Sequence, residues 1–153
     1  MGRDFITIVI RPVDEACNLA CTYCDAAQYS GGEARMADRV LEEIIRQASV
    51  PRFRFVSFCW HGGEPSLPGV EFYRRVVDLQ YKYFWGLFRH RRCENIILTN
   101  GLLLKGALLD LLEMEKFVWV LVWTDQIWMP TTIVSAEGAA TKSLIGHWAF
   151  FEN

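Results

Sequence analysis

Long runs of hydrophobic residues are missing from this sequence of 153 residues. The apolar stretch Phe5 to Ile10 is too short for the core of a signal peptide. The stretch Phe117 to Met129 is shorter than a membrane span and contains Asp125. We therefore expect a cytoplasmic protein that does not insert into a membrane.

The sequence also lacks a large excess of charge of either sign. Sixteen Lys and Arg residues stand against 18 Asp and Glu residues, for a formal net charge of -2, and the basic residues form no stripe. A solvated loop is enough to explain the short basic run Arg89 to Arg92. We therefore expect no nucleic-acid partner.

No low-complexity linker or internal repeat divides the chain. With 52% hydrophobic residues, a chain of this length can bury one substantial core but is too short to suggest two independent domains.

Five cysteines are an odd number, and three of them fall between Cys17 and Cys24, which is poor geometry for disulfides and suits a metal centre. A reducing compartment agrees with this composition.

Strand-like and helix-like segments alternate along the sequence. Hydrophobic periodicity and the positions of Pro and Gly predict strands at Phe5–Ile10, Phe53–Trp60, Asn95–Leu98 and Phe117–Trp123, and helices over Met36–Ala48, Tyr73–Phe84 and Ala107–Leu112. The order βαβαβαβ indicates an α/β fold with parallel strands joined by right-handed crossovers. Either an open sheet or an arc of a barrel satisfies this pattern.

The three clustered cysteines carry the strongest chemical signal. Cys17, Cys21 and Cys24 are spaced by four and three residues just beyond the first predicted strand, where a loop can wrap one metal cluster. Thiolates are the soft ligands that iron–sulfur clusters use. Three cysteines on a four-iron cube leave one iron without a protein ligand, and an open coordination position is typical of a reactive metal site.

Two further segments accompany the cysteines in order and spacing. Trp60 to Pro65 (WHGGEP) ends the second predicted strand, and Leu98 to Leu103 (LTNGLL) ends the third. Together with the Cys-x3-Cys-x2-Cys motif and its Tyr23, they resemble the radical S-adenosylmethionine (SAM) superfamily. They are most similar to its subgroup of anaerobic sulfatase maturases and related SPASM-type enzymes that modify peptides and proteins. The resemblance covers roughly Ile6 to Glu115.

This resemblance implies a fold and a division of the chain. The family has a partial (β/α)6 TIM barrel of six strands, of which this chain supplies the N-terminal part, about four βα units. Residues 1–116 correspond to the N-terminal part of the radical SAM core. Residues 117–153 are expected to be a degraded or frameshifted tail, leaving the last strand with an uncovered edge.

The resemblance also implies the cofactors. Cys17, Cys21 and Cys24 are expected to hold a [4Fe–4S] cluster whose fourth iron binds the amino and carboxylate groups of S-adenosylmethionine. An electron from the reduced cluster then cleaves S-adenosylmethionine to a 5′-deoxyadenosyl radical, which abstracts hydrogen from the substrate.

Further site residues follow from motif position within the family. Gly62, Gly63 and Glu64 are expected to border the methionine amino group, because paired glycines let the backbone approach a ligand closely. Tyr23 is expected near the adenine, and Asn100 near the nucleoside or the substrate.

The resemblance further implies partners. They are a peptide or protein substrate and an electron donor such as flavodoxin or ferredoxin. In this family most of the substrate pocket belongs to the second half of the fold, which this chain does not supply. We therefore expect this chain to keep the ability to bind the cofactors but to lose catalytic turnover.

A zinc site is the main alternative for the three cysteines, with Cys59 or His61 as the fourth ligand of a tetrahedral shell. The chain would then be a non-enzymatic zinc or redox-sensing module. Cys59 and Cys93 are otherwise expected to be a core thiol and a loop thiol.

The fourth strand departs from the family pattern and generates a prediction. Relatives carry a segment similar to Gly-x-Ser-Leu-Asp-Gly-Pro, where this chain has Trp119 to Ile127 (WVLVWTDQI). Read from the third base of each codon, Trp119-Val120 must encode glycine and Trp123-Thr124 must encode aspartate. We therefore predict a frameshift near Phe117. Sequencing the gene through these codons tests this prediction, and codons unable to give Ser, Leu, Gly and Pro in the shifted frame would contradict it.

Overall fold

A computed structural model of the chain describes residues 5–24, 35–88, 93–122 and 132–134. The elements, in chain order, are β1 (Phe5–Ile10), α1 (Asp38–Ala48), β2 (Phe55–Trp60), α2 (Val70–Phe88), β3 (Cys93–Thr99), α3 (Gly106–Met114), β4 (Val118–Leu121) and β5 (Thr132–Val134).

The first four strands form a parallel sheet in the order of the sequence. β1 pairs with β2, β2 with β3, and β3 with β4, all parallel. When every crossover is right-handed, a sequential strand order places all the connecting helices on one face of the sheet. Contacts of α2 with both α1 and α3 agree with that placement. The predicted α/β fold is therefore confirmed.

Local sequence explains where the first elements begin and end. β1 is rich in β-branched residues and ends before Pro12, which lacks the backbone donor that continued pairing needs. α1 has Asp38 in its first turn and Arg46 in its last, where their charges complement the helix dipole. The segment after α1 reaches Pro51 within three residues, so the helix cannot continue.

The core lies between the sheet and the helices. Val56, Phe58 and Trp60 of β2 are fully or almost fully buried on the helix-facing side. On the opposite face Phe5 is 53% and Val9 is 62% exposed, and the Phe5 ring stacks on Phe55 of the neighbouring strand. The two faces of the sheet therefore differ strongly in burial.

The structure corrects two expectations drawn from the sequence. The outer edge of β4 is not open, because β5 pairs with it in the antiparallel direction. An edge strand offers unpaired backbone donors and acceptors to any extended segment that reaches it.

The second correction concerns Cys93, which is not a loop thiol because it is the first residue of β3. The basic run Arg89 to Arg92 lies outside the described residues.

None of the helices in the described part of the chain combines the length and the hydrophobicity that crossing a bilayer requires.

A buried polar cluster joins β2, α2 and β3. The Trp60 indole Nε1–H donates to Asn95 Oδ1 at 3.0 Å. Asn95 also exchanges a pair of hydrogen bonds with Gln80, both at 2.9 Å. All three side chains are buried, so each needs its protein partners in place of water.

This cluster predicts a specific loss of stability. In Asn95→Ala the Trp60 indole N–H and the Gln80 amide lose their buried partner, so we expect the free energy of unfolding to fall by about 1–3 kcal/mol. Gln47→Ala, which removes an exposed amide on α1 that contacts Glu43, is the matched control and should change stability by less than about 0.5 kcal/mol. Urea unfolding of both variants measures the difference, and equal midpoints would contradict the prediction.

Candidate functional site

The chain segments that follow β1 and β2 continue to pair beyond the ends of the two strands. His61 N–H donates to Ile10 O at 2.8 Å. Gly63 N–H then donates to Asp14 O at 2.9 Å, and Glu64 N–H to Ala16 O at 2.8 Å. The entrance to the cysteine segment is thereby fixed against the segment after β2.

The two glycines permit this close approach. Gly62 has φ +111, and a Cβ there would lie 2.6 Å from Asp14 O. A Cβ on Gly63 would lie 2.1 Å from Ala16 O and 2.5 Å from Glu15 O. Sequence reasoning assigned the glycines to the approach of a ligand. The structure adds a contact that this reasoning did not foresee, with the chain's own cysteine segment.

Glu64 joins the segment after β2 to the end of β3. Its carboxylate is buried and accepts hydrogen bonds from Ser66 N (2.9 Å), the Ser66 hydroxyl, Thr99 Oγ1 (2.7 Å) and Asn100 N (2.8 Å). None of the described Lys, Arg and His side chains forms an ion pair with it. Glu64 is thus a buried carboxylate held by neutral donors alone.

Tyr73 of α2 contacts, from the core, the segment after β2 that carries Glu64. Its hydroxyl donates to Pro65 O at 2.7 Å, and its ring packs edge-on against Trp60 and Phe117. Complete burial, with a smaller contribution from the charge of Glu64, raises the pKa of the Tyr73 phenol well above its usual value. Tyr73 therefore remains a neutral donor to the loop that carries Glu64.

The predicted ligands line one cavity of about 460 Å³ at the carboxyl end of the parallel strands. This is the edge of a parallel α/β sheet where ligands bind. The polar lining includes all eight residues expected from the sequence: Cys17, Cys21, Tyr23, Cys24, Gly62, Gly63, Glu64 and Asn100. Leu19, Leu98, Leu102 and Val122 supply its apolar part.

The electrostatics around Cys17 reflect a gathering of acidic groups. Partial burial is the main cause that raises the pKa of the Cys17 thiol, and the nearby charges of Glu64, Cys21 and Cys24 raise it further. The Leu19 N–H, 3.4 Å from Cys17 Sγ, acts in the opposite direction. A bound metal cation would offset this mutual repulsion and favour the thiolate forms.

The donor set therefore fits an iron–sulfur cluster. Three cysteines, which supply soft sulfur ligands, line one cavity beside a carboxylate that has no ion-pair partner among the described residues. Within those same residues, no three His, Cys, Asp or Glu side chains are grouped closely enough to hold a single metal ion.

Tyr23 and Asn100 take different positions at this cavity. Tyr23 is 55% exposed at the rim. Asn100 uses its amide within the protein: Nδ2 donates to Asn18 Oδ1 at 2.8 Å, and Oδ1 accepts from Leu102 N–H at 3.0 Å.

Sequence reasoning missed three residues of the site. Thr99 and Ser66 hold the Glu64 carboxylate, and Asn18 contacts Asn100. His61, which the sequence offered only as a possible zinc ligand, lines the cavity with Nδ1 accepting from Gly62 N–H at 2.6 Å. Asn18, His61 and Thr99 lie inside the quoted motifs and Ser66 directly follows one, so proximity to the motifs was the available signal.

The two remaining cysteines lie apart from this lining. Cys59 is a partly buried residue of β2, and burial raises its pKa. Burial and the charge of Glu94 raise the pKa of Cys93 to about 12, which keeps that thiol protonated at neutral pH.

Comparison with known proteins agrees with these motifs. The model of the radical SAM superfamily matches residues 13–125. The cysteine-type anaerobic sulfatase-maturating enzyme of Clostridium perfringens is 30% identical over 118 residues, which are 74% of this chain and 31% of the relative. The serine-type enzyme of Klebsiella pneumoniae is 35% identical over 114 residues, 72% of this chain and 28% of the relative.

Solved structures show the same relationship. Native anSMEcpe with bound AdoMet and the Kp18Cys peptide superposes with a TM-score of 0.67 at 30% identity, covering 75% of this chain and 31% of that one. Native anSMEcpe with bound AdoMet gives a TM-score of 0.65 at 32% identity, over 74% and 30%. The chain thus spans about a third of the length of these relatives. On the evidence of its motifs, fold and matched residues, it belongs to the radical SAM superfamily.

Proposed function

We propose that Cys17, Cys21 and Cys24 hold a [4Fe–4S] cluster that binds S-adenosylmethionine, in an enzyme that modifies peptides or proteins in the manner of the sulfatase maturases. The observation that carries this proposal is that all three cysteines line one cavity at the carboxyl end of the parallel strands. When bound and reduced, such a cluster would supply the electron for cleavage of S-adenosylmethionine to methionine and a 5′-deoxyadenosyl radical. A flavodoxin or ferredoxin is the proposed source of that electron.

Glu64 and the glycines are proposed to border the methionine end of S-adenosylmethionine. A buried carboxylate without a cationic partner is costly, and a positively charged amino group nearby would lower that cost. The glycines support this arrangement by keeping Glu64 close to the cysteine segment.

The rest of the cavity suits a nucleoside and a peptide. Leu98, Leu102 and Val122 give it an apolar wall, in which the exposed Leu102 and Val122 offer a surface that a nucleoside or a peptide could cover. Tyr23, at the rim, is proposed to pack near the adenine. Asn100 is proposed to lie near the nucleoside or substrate, although both of its polar side-chain atoms already have protein partners.

Two structures of one relative support a peptide substrate. The anSMEcpe structures include complexes with the Cp18Cys and Kp18Cys peptides. Because this chain spans about a third of those enzymes, its own substrate and its turnover are part of the proposal.

Replacing the cysteines tests the cluster. After anaerobic reconstitution, the wild-type chain should contain about four iron and four sulfide ions and change its absorbance when S-adenosylmethionine is added. Cys17→Ala, Cys21→Ala and Cys24→Ala should each lose most of this iron, because each removes a ligand. Cys59→Ala, outside the cavity, is the control and should keep it.

Two outcomes would contradict the proposal. In one, the triple alanine variant retains the cluster. In the other, the wild-type chain binds a single zinc ion, takes up no iron and does not respond to S-adenosylmethionine.

Replacing a glycine tests how the cysteine segment is positioned. In Gly63→Ala the new methyl group overlaps Ala16 O, so we expect a loss of about 1–3 kcal/mol in stability together with most of the bound iron. Gly69→Ala is the control: its φ is +79 but nothing lies near its Cβ, so it should cost about 1–2 kcal/mol and leave iron binding intact. Thermal unfolding and iron analysis measure both effects, and normal iron content in Gly63→Ala would refute this role.

A further inference from the structure

Asn100 is held in one orientation by its own loop. Leu102 N–H can only meet an acceptor, so the atom 3.0 Å away must be the Asn100 amide oxygen. The Asn100 Nδ2 donor is then directed to Asn18 Oδ1, at 2.8 Å. The backbone after β3 thereby determines which atom Asn100 presents to the cysteine loop.

Asn18, which accepts the hydrogen bond from Asn100, lies next to the first cysteine. It stands directly after Cys17, and its Oδ1 lies 3.9 Å from Cys17 Sγ. The next residue, Leu19, donates its N–H to the same sulfur at 3.4 Å. The hydrogen bond from Asn100 therefore ends on the side chain that lies beside this sulfur.

The two asparagines join segments that are far apart in sequence. Asn18 and Asn100 are separated by 82 residues, and the cysteine segment is fixed at its entrance by the contacts of Asp14 and Ala16 with the segment after β2. The Asn18–Asn100 contact adds an attachment inside the motif, between Cys17 and Cys21. A loop that is attached at both places has fewer conformations to lose when it binds a cluster.

We propose that Asn18 and Asn100 are positioning residues that together hold the cysteine loop in the conformation that retains the cluster. This inference rests on the proposed function, because the loop concerned carries the three proposed ligands. It assigns Asn100 a role through Asn18, in addition to any contact with a nucleoside or substrate. Groups that orient metal ligands in this way commonly affect metal retention by about 10–100-fold when removed.

Retention of the cluster under chelator challenge tests the pair. The full chain is reconstituted anaerobically, and the rate of iron release to excess chelator is measured for wild type, Asn18→Ala, Asn100→Ala and the double variant. We expect each single variant to release iron about tenfold faster. The double variant should be no faster than the singles, because one contact is lost in all three.

A conservative variant and a control sharpen the result. Asn18→Gln keeps a neutral amide oxygen that can accept from Asn100 Nδ2 and adds no charge beside Cys17 Sγ, so it should recover most of the retention lost in Asn18→Ala. Gln47→Ala, on the exposed face of α1, should match wild type. The melting temperatures of the metal-free variants should stay close to wild type, because an exposed hydrogen bond contributes little to global stability.

The outcomes separate this inference from the proposed function. A wild-type chain that takes up no iron refutes both. If wild type binds the cluster but the asparagine variants release it at the wild-type rate, only the inference fails. It also fails if the single effects multiply in the double variant, or if Asn18→Gln behaves like Asn18→Ala.

Discussion

The close backbone contact between the segments that follow β1 and β2 is the constraint on which the cavity depends. Gly63 and Glu64 donate to carbonyl oxygens of Asp14 and Ala16, just before Cys17. A side chain at Gly63 would occupy the space of the Ala16 and Glu15 carbonyl groups. The cysteine segment therefore leaves the sheet in a direction that the neighbouring strand determines, and its three cysteines line the cavity at the carboxyl edge of the sheet.

Glu64 extends this constraint to the third strand. Its backbone N–H belongs to the contact with the cysteine segment, while its carboxylate accepts from Thr99 and Asn100 at the end of β3. One buried residue thus links three consecutive strand ends. Its carboxylate lies at the same cavity as three thiols, whose thiolate forms a bound metal cation would favour.

Much of the fold was predictable because local patterns and tertiary packing agree. The β-branched residues of β1, the apolar periodicity of α1 and the breaks at Pro12 and Pro51 are each visible without a structure. β5 was not predictable, because its pairing depends on which segment reaches the open edge of β4. The place of Cys93 in β3 was missed because its partner, Val56, is 37 residues away in sequence.

The sequence by itself predicted the chemistry that is proposed for the site, since Cys17, Cys21 and Cys24 are close along the chain and thiolates are the ligands that iron–sulfur clusters use. It also determined the family, through short motifs at the ends of three strands. Only the tertiary structure decided how those motifs touch. The contacts of Glu64 with Thr99 and of Asn18 with Asn100 join residues 35 and 82 positions apart, and such pairings arise from the register of parallel strands, which no local pattern encodes.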